Sequence, residues 1–291
     1  MLQQTINGLA LGGTYALLGL GITLTWGVLK LLNFAYGQFI TWGAFATMYA
    51  LNRGIHPVLA VIVGMGVAAG VALLVDSTVL TYMRGKGSTE FSMVVATIGV
   101  SFILATLSQE WSDSQVMAFP LEKLPGGVID IGSIAIPTIQ LMTLGISLVV
   151  MAILGYWLTR TRTGLATRTV AHSAETAELL GVPSRLVFAG AVVISGALAG
   201  LGGVSIAAVT STLSYSTGDQ LLLIAFAVII LGGMGSVLGA VLGGLILGLV
   251  QVYTTAYISD TFSQMVSFMV ILLVLAVRPS GLFGVPEESR V

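Results

Sequence analysis

Charge is what this sequence has least of. Of its 291 residues only 8% are Asp, Glu, Lys or Arg, against about 25% in a soluble globular domain. A soluble protein of this length could not cover its surface with so few charges. With a mean hydropathy of +1.02, the composition describes a polytopic membrane protein. Cysteine is absent, which excludes a disulfide framework, a thiolate metal site and a thiol nucleophile. Histidine occurs twice, at His56 and His172, both in expected loops. No His lies in an apolar run, no H-E-x-x-H occurs, and no two acids share a helix face at mid-span. Serine–histidine or zinc chemistry inside the membrane therefore has no residues to use. Proton coupling through embedded acids is disfavoured for the same reason. Sodium coupling is disfavoured less firmly, because backbone carbonyls can hold sodium. A net charge of −1 gives no reason to expect nucleic-acid binding.

What is present is a series of long apolar runs. A spanning helix needs about 20 mostly apolar residues. Candidate spans cover residues 6–29, 31–51, 57–75, 91–109, 138–158 and 187–209, with two or three more between 221 and 277. The expected fold is an all-α polytopic membrane protein of eight or nine transmembrane or half-spanning helices, one transmembrane domain over 1–291. The opening residues 1–13 carry no basic region before an apolar core, so the first run is expected to be a permanent span rather than a cleaved leader. The uncharged region 220–259 has few boundary signals, and its LGGMGS run at 231–236 is the expected break. Glycines four apart recur, as in Gly8/Gly12, Gly66/Gly70, Gly196/Gly200 and Gly235/Gly239/Gly243. They suit close helix packing in lipid. NGLALGG near the start resembles GALAGLGG at 196–203, but low complexity accounts for it and no internal repeat is expected.

One polar island interrupts this pattern. Residues 159–185 hold four arginines (Arg160, Arg162, Arg168, Arg185) and two glutamates (Glu175, Glu178). At about 2.5–3.5 kcal/mol for each charge placed at mid-bilayer, the island must lie in water. Its arginines mark that water as cytoplasmic, as do Arg84 and Lys86 in the 76–90 loop and Arg278 after the last run. The 110–137 loop, with four acids and one Lys, is expected outside, as is 210–220. Residues 1–29 hold no Lys or Arg. The N-terminus is then outside for nine spans and inside for eight.

Within the island, 171–180 is rich in helix formers, and Gly181 followed by Pro183 is a stop signal. A short cytoplasmic helix ending near Leu180 is expected, with Ala171, Ala174, Ala177 and Leu180 forming a small-residue stripe. Such a stripe suits a groove on another protein, and a solvated connector suits it equally. Asn33 and Gln38 flank Gly37 in LLNFAYGQF. An interrupted helix there could present polar groups to a solute; Asn33 and Gln38 could also serve local or interhelical hydrogen bonds, and the same two readings hold for Thr97 and Ser101. The RGKGST run at 84–89 imitates a phosphate loop, but Gly87 stands where Ser or Thr is required and no strand precedes it. No nucleotide site is expected in this chain.

Four stretches carry a resemblance. Glu175, Ala177 and Gly181 are similar to the EAA loop of ABC importer permeases, E-A-A-x-x-x-G, with Thr176 departing at the middle position. NGLALGGTYALLGLGITLTWGVLKLLNFAYGQF at 7–39, AVIILGGMGSVLGAVLGGLILGL at 227–249 and RPSGLFG at 278–284 resemble branched-chain amino acid permeases of the LivH type. The resemblance implies a permease subunit paired with a LivM-like second permease. It implies two cytoplasmic ATPases that carry the ATP and magnesium, and an external solute-binding protein. Residues 171–181, including Glu175 and Glu178, become the coupling helix. Substrates implied are branched-chain or other small neutral or zwitterionic amino acids, with urea or short amides as the alternative. NFAYGQF has Tyr36 and Gln38 where the family resemblance leads one to expect NFAHG followed by an acid. A stand-alone channel or facilitator would share this composition, and an intramembrane enzyme is disfavoured by the missing ionisable groups.

Overall fold

The computed structural model describes residues 1–131 and 134–284; Gly132 and Ser133, within the 110–137 loop, and residues 285–291 lie outside the described residues. In chain order the helices are α1 (Leu2–Leu29), α2 (Tyr36–Asn52), α3 (Pro57–Val75), α4 (Thr81–Gly85), α5 (Glu90–Trp111), α6 (Thr138–Arg160), α7 (Arg162–His172), α8 (Ala174–Leu179), α9 (Ser184–Thr210), α10 (Thr217–Gly232), α11 (Val237–Tyr257) and α12 (Asp260–Val277). The strands are short: β1 (Met117–Ala118) pairs with β4 (Thr212–Leu213), and β2 (Val128–Ile131) forms a hairpin with β3 (Ile134–Pro137). Among the described residues, seven helices are long and apolar enough to cross a membrane, α10 is a shorter apolar helix, and the 17-residue α2 lies largely buried among them.

Several boundaries differ from expectation. The second span does not begin at residue 31. Lys30 closes α1 in the left-handed conformation, and α2 starts only at Tyr36. The third span does not stop at Asp76. A π-helical turn, Asp76–Leu80, carries it into α4, giving one rod over Pro57–Gly85. The rod passes a charge because Asp76 is paired with Arg84 two turns on. The region 221–257 divides at residues 233–236, as the LGGMGS run suggested, but α10 already begins at Thr217 inside the stretch expected as an outer loop.

The main correction concerns repeats, because the bundle contains two copies of one unit. α1 lies along α11 as α9 lies along α3; α2 packs on α9 as α10 packs on α1; α5 touches α2 as α12 touches α10. Lys30 and Ser211 both end their helices in the left-handed conformation, at φ 52° and 62°. Residues 31–35 and 212–216 then lead into α2 and α10. The offset between the copies is 181 residues, the same separation that divides the hydrogen-bonded pair Gln38 and Asp219. At this offset ALLGLG, 16–21, falls on ALAGLG, 197–202. The likeness of 7–13 to 196–203 is out of this register, in which 7–13 falls on 188–194. With the single span α6 between them, two four-helix units run in opposite directions, the arrangement of an inverted repeat.

The two ends of the bundle are distinct. One end gathers the C-terminus of α1, the connection α6–α7–α8–α9, the α10–α11 loop and the tail. It carries the island arginines and is called the basic end here. The hairpin β2–β3 and the β1–β4 pair lie at the other, where Lys123 Nζ donates to Asn52 Oδ1 at 3.3 Å. Sequence spacing placed some glycines well and others badly. A Cβ on Gly12 would lie 2.8 Å from Leu245 Cα, and one on Gly248 would meet the backbone of Gly12, so α1 and α11 touch backbone to backbone. Gly66 and Gly70 face open space instead, and Gly64, Ala68 and Ala72 make the α3–α9 contact.

Gly248→Ala must therefore separate α1 from α11, at about 1–3 kcal/mol for overpacking. Gly70→Ala should be neutral or stabilising by roughly 0.5–1 kcal/mol. Thermal unfolding of the purified protein in detergent should fall for the first and hold or rise for the second.

Candidate functional site

The centre of the bundle is built from its two breaks. After α1 the chain turns back, and Asn33 Oδ1 accepts the Ala35 N–H at 3.0 Å. Thr97 of α5 accepts the Phe34 N–H at 3.1 Å and itself donates to the Val94 carbonyl at 2.7 Å. The buried Tyr36 hydroxyl donates to the Leu18 carbonyl at 3.0 Å. After α9, the Ser214 N–H donates to Thr217 Oγ1 at 3.0 Å. Protein side chains thus meet backbone groups at each break, as irregular chain at membrane depth requires.

The first turns of α2 and α10 meet. A Cβ on Gly37 would lie 2.8 Å from the Gly218 carbonyl oxygen, and one on Gly218 would run into the Gly37 carbonyl. Only glycine allows this crossing. Thr41 Oγ1 accepts the Gly218 N–H at 3.1 Å. Beside it Gln38 Nε2 donates to Asp219 Oδ1 at 2.8 Å. From Gln38 to the end of α2 at Asn52, and from Asp219 to the end of α10 at Gly232, the distance is about 20 Å at 1.5 Å per residue. The 28-residue α1 measures about 42 Å. The crossing therefore lies near mid-depth.

Of the path residues expected from sequence, Asn33, Gly37, Gln38 and Thr97 do come together here, all buried. Ser101 is half-buried, one helical turn beyond Thr97 on α5. Sequence reasoning missed Thr41, Gly218 and Asp219. The signal was available as the pair L-N-F-A-Y-G-Q, 32–38, and L-S-Y-S-T-G-D, 213–219. The sequence places Asp219 in an outer loop, but the early start of α10 carries it inward. It also supplies the carboxylate that the family resemblance led one to expect at Gln38, now from the facing helix. A cleft of about 500 Å³ lies between the start of α10 and the β4 end of the bundle, lined by Tyr15, Ser214, Thr217, Gln220 and Gln251 among apolar groups. The Tyr15 hydroxyl donates to Gln251 Oε1 at 2.7 Å. These cleft polar groups are uncharged.

The basic end shows the island in detail. Residues 171–180 do not form one helix. Ser173 breaks them, its hydroxyl accepting the Thr176 N–H at 3.2 Å and starting α8. Gly181, at φ +80°, ends α8 as its position implied. The alanine stripe does not face outward. Ala177 is fully buried, while Ala171 and Ala174 are half-buried against the core. Small side chains let α7 and α8 lie flat on the bundle. The outward groups are Glu175, Glu178, Leu179 (84% exposed), Leu180 (71%) and Gly181. Glu178 accepts the Ser184 hydroxyl, tying α8 to the first residue of α9. Close by, Arg84 pairs with Asp76 and stacks over the Phe188 ring of α9 at 4.8 Å. The imitation phosphate loop at 84–89 is the capped end of this rod, with a helix rather than a strand before it.

The tail explains why two separate motifs stood out. The Leu282 and Phe283 N–H groups donate to the Leu231 and Gly232 carbonyls, both at 2.9 Å. RPSGLFG thereby satisfies carbonyls that the end of α10 would otherwise leave unpaired.

Comparison with known proteins gives one result. Residues 4–275 match the family described as the branched-chain amino acid transport system permease component. The chain is 30% identical to the permease protein BraD of a high-affinity branched-chain amino acid transport system in Pseudomonas aeruginosa, across 100% of this chain and 98% of BraD. It is 30% identical to the corresponding LivH protein of Escherichia coli K12, across 100% and 97%. A probable LivH from Methanocaldococcus jannaschii is 26% identical, across 75% and 70%. The chain belongs to the branched-chain amino acid permease family, as a multi-pass transport subunit of an ABC importer rather than an enzyme.

Proposed function

We propose that this chain is one of two permease subunits in an importer of branched-chain or other small neutral or zwitterionic amino acids. The observation that carries this reading is the family match over residues 4–275. The partners would be a LivM-like second permease, two ATPases binding ATP and magnesium, and an external solute-binding protein. The chain itself would bind no nucleotide and need no cofactor. The uncharged polar lining of the cleft suits a solute without net charge.

The basic end would face the cytoplasm, by the bias of Arg and Lys toward that side. With nine crossings the N-terminus and the hairpin would then lie outside. Leu179 and Leu180 would be the docking tip for an ATPase, since an exposed leucine pair at the C-terminal end of a six-residue helix serves a partner better than it serves water. Motion of α8 would pass through the Glu178–Ser184 bond into α9. That helix is tied to α1 where Ser195 Oγ donates to the Gly21 carbonyl at 2.8 Å. It ends where the chain turns into α10, so movement at the basic end would reach the central crossing and alternate its access.

Leu179→Glu combined with Leu180→Glu should lower co-purification of the ATPases at least about tenfold, two buried leucines being worth roughly 3 kcal/mol or more. Membrane insertion should be unchanged. Normal co-purification would remove the docking role. Because the chain has no cysteine, sidedness can be read directly. Glu175→Cys should react with an impermeant maleimide only from the cytoplasmic side, and Glu122→Cys only from outside.

A further inference from the structure

Asp219 is the ionisable group that the transport reading leaves without a task. It is exposed on the described chain, in the first turn of α10, next to exposed Gln220 and one turn before exposed Leu223. Its depth is that of the crossing. A carboxylate left facing lipid there would cost about 2.5–3.5 kcal/mol. This face must therefore meet water or another protein. In a two-permease importer the surface that does both borders the path between the subunits.

The carboxylate is also held in a particular way. Gln38 is fully buried, and its Nε2 donates to Asp219 Oδ1. That bond sets the orientation of the amide, because a flipped Gln38 would bring two acceptors together. Gln38 Oε1 is left buried with no hydrogen-bond partner. A buried unpaired acceptor is costly unless another state fills it. It belongs to the same amide group that touches Asp219, so the unpaired Oε1 and the carboxylate are neighbouring acceptors. A primary ammonium has three donors and one positive charge, and it matches both.

We infer that Asp219 and Gln38 form a mid-depth site for the ammonium group of a transported amino acid, with Asp219 as its counter-ion and Gln38 Oε1, buried in the described arrangement, as a second acceptor once the crossing opens. The site rests on the amino-acid reading above and adds a location to it. The carboxylate neutralises the ammonium during passage, while Gln38 holds the carboxylate toward the path. Thr41 and the Gly37–Gly218 crossing fix the two first turns that carry them. A neutral solute without an ammonium would gain nothing from this arrangement.

The test uses the complete importer in proteoliposomes, with saturating loaded binding protein and radiolabelled leucine as the probe. Asp219→Asn keeps an oxygen that can accept from Gln38, so it removes the charge and spares the bond. Uptake should fall about 10- to 100-fold, the worth of one charge-assisted hydrogen bond, with subunit co-purification unchanged. Asp219→Glu should recover part of the loss. As a second arm, Asp219→Cys should regain uptake after 2-carboxyethyl methanethiosulfonate and not after the methyl reagent. Wild-type uptake by Asp219→Asn, or equal rescue by both reagents, overturns the ammonium site and leaves the amino-acid reading standing. Failure of the wild-type importer to take up leucine or any other aliphatic amino acid overturns both.

Discussion

The crossing of Gly37 and Gly218 is the constraint on which the bundle depends. Two helix starts can approach backbone to backbone only if neither carries a side chain. Around that contact the helices of the two units are arranged in pairs. The helices before it, α1 and α9, each end in a left-handed residue. Each is followed by a short returning segment, and each is flanked by a long partner from the opposite unit, α11 and α3. Had the crossing carried even two alanines, α2 and α10 would stand apart, and Gln38 could not reach Asp219.

Lipid explains why the breaks sit where they do. Inside a membrane an unpaired amide has no water to turn to, so an interrupted helix is tolerated only where protein fills in. Asn33, Thr97, Thr41 and Thr217 do that work here. They are short polar side chains that sequence alone marks only as mildly unusual in apolar runs. The tail does the same for the far end of α10. Two conspicuous motifs at 231–236 and 278–284 are in this sense one contact. The basic end follows a related logic: Asp76 and Arg84 pair so that the α3–α4 rod can continue past a charge, and the rod then reaches Phe188 of α9.

A transport subunit needs a firm outer scaffold and a centre that can rearrange. The α1–α11 and α3–α9 contacts supply the scaffold through glycine and alanine, where any added atom is felt. The centre is held by a few hydrogen bonds between short helices. The link from α8 to α9 runs through the hydrogen bond that Ser184 donates to Glu178. The fold thus places its exposed leucines at one end and its polar crossing in the middle, on elements that are directly connected.

The sequence by itself determined the membrane class, most span positions, the basic island, the Gly181 stop and the family. Each of these depends on composition or on residues near one another in the chain. The tertiary structure decided the inverted repeat, the late start of α2, the early start of α10, and the inward face of Ala171, Ala174 and Ala177. It alone joined Gln38 to Asp219. Those features depend on which surfaces meet across 181 residues, and apolar helices carry little local pattern to say so. In a chain where nearly every face is hydrophobic, periodicity cannot tell a face against protein from a face against lipid. Only the packing of small residues separates them.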